Sequence, residues 1–131
     1  MSARLALVSY LVADYDEAIA FFVDRLGFSL TEDTSLEDGK RWVVVMLPGG
    51  GSALLLARAA TDEQRLSIGA QAGGRVFLFL HTDDFVRDHT AFSEQGVQFL
   101  EEPRDERYGR VAVFADLYGQ KWDLIGPATG G

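Results

Sequence analysis

The chain has 131 residues, sets 20 Asp and Glu against 12 Lys and Arg for a formal net charge of −8, and contains no cysteine. Those values describe one compact domain that buries a core without disulfides or a structural metal, and they exclude thiolate metal sites and cysteine nucleophiles. The acidic balance speaks against a nucleic-acid partner. The lack of any apolar run near about 20 residues, with a strand-like segment straight after Met1–Arg4, speaks against a membrane or a signal peptide and for a cytoplasmic location.

Leu5–Val12 is an apolar β run. Asp14 then offers an N-cap, Asp16 and Glu17 fall in the electropositive first turn, and Ile19, Phe22 and Leu26 share a helical face that Gly27 terminates. Strands are predicted at Phe28–Glu32, Arg41–Met46 and Ser52–Leu56. In the connector, 58–74, Thr61 and Gln64 have capping-box spacing, which predicts a short helix, and Gly69, Gly73 and Gly74 loosen the chain after it. A second series opens at Arg75–Leu80 and caps a helix with Asp83 or Asp84. That helix carries Phe85, His89 and Phe92 along one face before Gly96. Strands follow at Val97–Glu101, Arg110–Ala115 and Lys121–Ile125, and the Gly-rich end, Gly126–Gly131, is expected to fray.

The two series repeat. At one constant offset Asp14 meets Asp84, Phe22 meets Phe92, Gly39 meets Gly109, Val43 meets Val113, Gly49 meets Gly119 and Leu54 meets Leu124, at matching points of each series. Both modules, 4–57 and 75–127, read β-α-β-β-β within a single domain over 1–131. The expected fold is α+β: one curved, mixed but mostly antiparallel sheet with helices outside and a concave cup inside, a shape suited to small ligands.

Three stretches carry a resemblance: Leu11-Val-Ala-Asp14 leading to Ala20-Phe21-Phe22, then Leu26-Gly27-Phe28, and the late run from Val113 through Asp116, Gly119 and Trp122 to Leu124. With the paired modules, the chain resembles the vicinal oxygen chelate superfamily of glyoxalases, bleomycin-resistance proteins, fosfomycin-resistance enzymes and extradiol dioxygenases, over nearly its whole length. Metal-dependent members hold one divalent ion with two side chains from each module. The resemblance puts the first-strand ligands, commonly His or Gln, at Leu7 and Phe77, and the last-strand ligands, usually Glu, at Ala53 and Asp123. A divalent ion needs at least three oxygen or imidazole donors, so one carboxylate is not enough. No metal ligand set and no cofactor is expected, and His81 with Asp123 would make only an incomplete site.

Strand parity under this topology puts Leu7, Ser9 and Leu11 on one wall of the cup and Phe77, Phe79 and His81 on the other. Trp42 is either a flat wall for a ligand or a core or interface residue, and Trp122 is expected in the core or at a dimer interface. His81 is either a polar group or general base at the mouth or a partner of Asp83 or Asp84. Asp123 is either an anchor for a cation, or a base with a raised pKa, or a partner of Lys121 or Arg110. Tyr108 and Arg110, like Arg41, are candidates for the rim. Glu101, Glu102, Asp105 and Glu106, interrupted by Arg104 and Arg107, read as a solvated turn. His81 and Asp123 are the candidates for catalysis. The resemblance implies a metal-independent protein that binds an apolar or cationic small molecule, as a homodimer. The alternatives are a metal-dependent lyase, isomerase or dioxygenase with an atypical site, or an oligomeric protein whose cup is filled.

Overall fold

The computed structural model describes residues 2–128. The chain divides into two compact units, Met1–Ile68 and Gly69–Gly131. The first unit contains β1 (Leu7–Val12), α1 (Tyr15–Ala20), β2 (Ser29–Ser35), β3 (Arg41–Met46), β4 (Ala53–Arg58) and α2 (Asp62–Ser67). The second contains β5 (Leu78–His81), α3 (Phe85–Glu94), β6 (Gln98–Phe99), β7 (Arg104–Glu106), β8 (Gly109–Ala115) and β9 (Lys121–Gly126). The α+β class and the repeated strand-helix-strand order match the expectation. The strands, however, form two sheets: β1-β4-β3-β2 in the first unit, and β5-β9-β8-β6 in the second with β7 added on β8. Each module pairs its first strand, in parallel, with its own last strand, so its hydrogen bonding closes within the module.

In the first unit Asp14 Oδ2 accepts from Glu17 N at 2.8 Å and caps α1. The helix then widens into a π-type turn over Phe21–Arg25. The extra residue in that turn lets Phe21 and Phe22 both go inside, where Phe22 makes edge-to-face contacts with Tyr10 and Phe28 at 5.5 and 5.3 Å. Tyr15, Ala18, Phe22 and Leu26 form the buried face, and Ile19, expected there, is only half-buried. β2 is longer than predicted. A bulge between Leu30 and Glu32 leaves Thr31 without a ladder partner, and its hydroxyl donates to Val44 O instead. β4 runs on to Arg58 because Ala59 N still reaches Val12 O. The capping box forms as predicted at Thr61 and Gln64, except that Gln64 Oε1 accepts from Ala60 N, one residue early.

In the second unit Asp84, not Asp83, caps α3. Phe114 and Trp122 stack with centroids 5.8 Å apart beneath that helix, so Trp122 is a core residue. The predicted strand Val97–Glu101 shrinks to two residues. Pro103 supplies no N–H, and the carboxylate of Glu101 takes the Val113 N–H at 3.2 Å that a continuing strand would have used. The chain returns to β8 as β7, so the segment read as a solvated turn is partly a strand. Gly126 is a buried strand residue rather than part of a frayed end; Thr129–Gly131 lie outside the described residues.

Candidate functional site

Side chains alternate along β9. Trp122 and Leu124 turn toward α3, with Phe114 and Ala112 of β8 opposite them. Asp123 and Ile125 turn the other way. On that face Phe79, Asp123 and Val113 lie in one row across β5, β9 and β8, and His81, Ile125 and Val111 lie in the next. Three candidates from the sequence, Phe79, His81 and Asp123, therefore meet on one surface. Phe77 lies just ahead of β5, half-buried, with its N–H on Lys121 O. Arg110 has the opposite parity. Its guanidinium lies 5.6 Å over the Phe85 ring and 3.9 Å from Asp105, so it belongs to the helix side. Tyr108 is exposed in the turn between β7 and β8.

The environment of Asp123 sets this face apart. The residue is 6% exposed, and its Oδ1 is buried with no hydrogen-bond partner. Burial pushes its pKa above the ordinary carboxylate value, Arg104 pulls it down and Glu101 pushes it up. Neither Lys121 nor Arg110 pairs with it. Arg104 arrives through the register of β7 on β8, where it stands opposite Val111 and so on the Asp123 face. Its guanidinium reaches Glu101 at 3.5 Å and Glu106 at 3.4 Å. Glu101 and Arg104 are the site residues that sequence reasoning missed. Pro103 after an acidic pair was the available sign that the strand would break and return.

His81 does not pair with the neighbouring carboxylates. Asp83 binds Arg87 at 2.8 Å, Asp84 is the helix cap, and His81 stays exposed beside Phe79, which is itself 56% exposed. His89 is packed against Phe85 and Phe99, with centroids at 5.4 and 4.2 Å, and burial, reinforced by Arg110 and opposed by Glu102, lowers its pKa. It is a packing residue.

The corresponding face of the first unit is apolar. Leu7, Ser9 and Leu11 alternate with the buried Tyr10 and Val12, and stand opposite Ala53, Leu55 and Ala57 of β4. Trp42 shares the face through β3, partly exposed, with its indole N–H donated to Glu32 Oε2 at 3.0 Å. Leu55 lies opposite both Ser9 and Val44, as Asp123 lies opposite both Phe79 and Val113. Leu55, not Ala53, is therefore the structural counterpart of Asp123, and the constant offset fails on the last strand.

A divalent ion does not fit this donor set. Leu7, Ala53 and Phe77 offer no ligand atom, and replacing Ala53 by Leu55 adds none. Among the described residues no group of three or more His, Asp or Glu is arranged to hold a metal.

A family model described as Glyoxalase/Bleomycin resistance protein/Dioxygenase superfamily matches residues 4–124. The chain belongs to this superfamily. It is 54% identical over 127 residues to an uncharacterized protein of Shewanella frigidimarina (strain NCIMB 400), covering 95% of this chain and 94% of that one. Among solved structures, TnmS3, an antibiotic binding protein from Streptomyces sp. CB03234, shares 29% identity at a TM-score of 0.81, over 98% of this chain and 99% of that one. UcmS2 shares 26% at a TM-score of 0.82, over 95% and 98%. For this member of the superfamily the described residues include no helix long and apolar enough to cross a membrane.

Proposed function

We propose that this member of the superfamily binds a small apolar or cationic molecule without a metal, against the sheet face that carries Asp123. The observation that carries the reading is the buried Asp123 Oδ1, which no protein donor satisfies, in a row with Phe79 and Val113. An unsatisfied buried acceptor costs about 1–3 kcal/mol, which a ligand ammonium or hydroxyl would recover while its apolar body covers Phe79. The likeness to TnmS3, whose name describes antibiotic binding, supports the same class of function. The reading includes a cytoplasmic homodimer, in which a second copy helps to cover exposed apolar side chains such as Leu7 and Phe79.

Native mass spectrometry of protein purified without chelator, followed by calorimetric titration with cationic aromatic compounds and their neutral isosteres, tests this. The expected result is a dimer with no stoichiometric Ni, Zn, Mn or Fe, and a preference for the cation that Asp123→Asn reduces by roughly tenfold or more. A stoichiometric metal bound through Asp123 would support the metal-dependent enzyme instead, and no uptake of any small molecule would support a purely oligomeric role.

A further inference from the structure

Two buried polar atoms of opposite kind stand without a hydrogen-bond partner on one face of the second unit: Asp123 Oδ1, an acceptor, and Arg104 Nη1, a donor. Register puts them there together. Asp123 lies opposite Val113 and Arg104 opposite Val111, two residues apart on β8 and therefore of equal parity. A fold seldom leaves a buried donor or acceptor open, so one of each on the same face calls for a group that serves both.

The ladder draws the two together. Asp116 N reaches Gln120 O in the turn between β8 and β9, so the alternation of that ladder makes Val113 and Asp123 a non-hydrogen-bonded pair, the narrow kind in which facing side chains sit closest. Val113 turns its N–H away from β9, and Glu101 Oε1 accepts it at 3.2 Å. Arg104 Nη1 lies 3.5 Å from that same oxygen, an ion pair without an aligned hydrogen bond, so the guanidinium leans from the Val111 row toward the Val113 row. It stops short of Asp123: among the described residues its ion pairs are with Glu101 and Glu106 only. Across the strands the row therefore runs Phe79, Asp123, Val113, and then Glu101 with the tip of Arg104.

That order describes a ligand. Phe79 offers an apolar surface, Asp123 accepts from a donor, and Arg104 donates to an acceptor farther along the row. Three carboxylates, Asp123, Glu101 and Glu106, around one guanidinium leave this end of the row anionic, which favours an ammonium as the donor and a neutral oxygen, not a carboxylate, as the acceptor. We propose that the Asp123 face takes an aryl-bearing primary amine with a carbonyl on the adjacent carbon, an α-amino amide or ester: the ammonium donates to Asp123 Oδ1, the carbonyl oxygen accepts from Arg104 Nη1, and the aryl group lies on Phe79. Phe79 and Arg104 are both partly exposed side chains, able to rotate aside as it enters. This rests on the reading of that face as a site for cationic molecules, and narrows it from any cation to one with a built-in acceptor.

Calorimetry at about pH 6, below the roughly 7.7–8 of an α-amino group so that every amine is an ammonium, compares four phenyl-bearing probes. Phenylalaninamide carries both groups, phenethylamine only the amine, 3-phenylpropanamide only the amide, and phenylalanine a carboxylate in place of the amide. Phenylalaninamide should bind about tenfold more tightly than each of the others. Arg104→Met should erase its advantage over phenethylamine and Arg104→Lys should keep part of it. Arg107→Gln, an equal loss of charge in the exposed turn, should keep all of it. Phenethylamine or phenylalanine binding as tightly as phenylalaninamide overturns the carbonyl contact and leaves the cation site standing, whereas failure of both phenethylamine and phenylalaninamide to bind overturns the cation site itself. Equal binding of 3-phenylpropanamide overturns the ammonium contact, and an advantage that survives whole in both Arg104 variants, shown to be folded, overturns the role of Arg104. The ranking of the probes on the parent protein needs neither variant.

Discussion

Trp122 donates its indole N–H to Asp116 Oδ2 at 3.0 Å in the turn that joins β8 to β9. The other carboxylate oxygen, Oδ1, accepts the backbone N–H groups of Tyr118 and Gln120 at 2.9 and 3.1 Å. Asp116 is buried, and burial raises its pKa against these three bonds. An asparagine there has a single acceptor oxygen, so its amide must turn its own N–H groups toward at least one of these donors. Asp116→Asn is therefore expected to destabilise the fold by about 2 kcal/mol although it removes a buried charge. Denaturant titration checks this, and a variant as stable as the parent would refute the network.

Asp123 is the opposite case. Its Oδ1 has no donor to lose, and its folded pKa is raised above 3.8 by burial. The native state then binds the proton more tightly than the unfolded chain. The corresponding stability is complete below the unfolded value and is lost as pH rises through the folded value. Asp123→Asn should be the more stable protein at neutral pH, by about 1 kcal/mol, with the gap closing on acidification toward 3.8. Melting curves of both proteins across that range decide it. A gap independent of pH would mean that the carboxylate is not strained in the fold.

Much of this was readable in advance wherever one strand or helix carried its own signal. Arg41–Met46 appears with the predicted bounds because Val43, Val44 and Val45 are buried on both faces of the sheet. Thr61 with Gln64 marked α2, and the spacing of Phe85, His89 and Phe92 marked the face of α3. What composition hides is pairing. Arg104 is one charge among several in sequence, and only the return of β7 to Val111 puts it on the Asp123 face. The resemblance singled out Asp123, but its neighbours, and the substitution of Leu55 for Ala53 as its counterpart, follow from register.

His89 yields a pH dependence of its own. Burial between Phe85 and Phe99 lowers its pKa from 6.5, with Arg110 acting in the same direction and Glu102 against it. The fold keeps the imidazole neutral while the unfolded chain takes up a proton, so stability is present above 6.5 and is lost as pH falls toward the folded value. Replacing His89 by Phe should flatten this acid-side loss while keeping the ring contacts. Denaturation of the two proteins from pH 7 to about 5 compares the slopes directly, and equal slopes would remove His89 as the cause.

Gly109 opens β8 at a φ of 145°, and a Cβ added there would lie 2.2 Å from Gly126 O. Neither partner can yield. Gly126 is tied into the β8–β9 ladder opposite Arg110, and its own missing Cβ leaves room for Phe85, whose Cβ would be 2.7 Å away. Gly109→Ala therefore combines an unfavourable backbone conformation with a clash against fixed backbone, and should cost at least about 2 kcal/mol. Gly50 is a positive-φ glycine without a clash: its φ is 87° and nothing lies within 4 Å of where an alanine methyl would stand, so Gly50→Ala should lose about 1 kcal/mol. Unfolding free energies of the two variants should show the larger loss for Gly109→Ala. A loss at Gly109 no larger than that at Gly50 would refute the added cost argued from the close approach to Gly126.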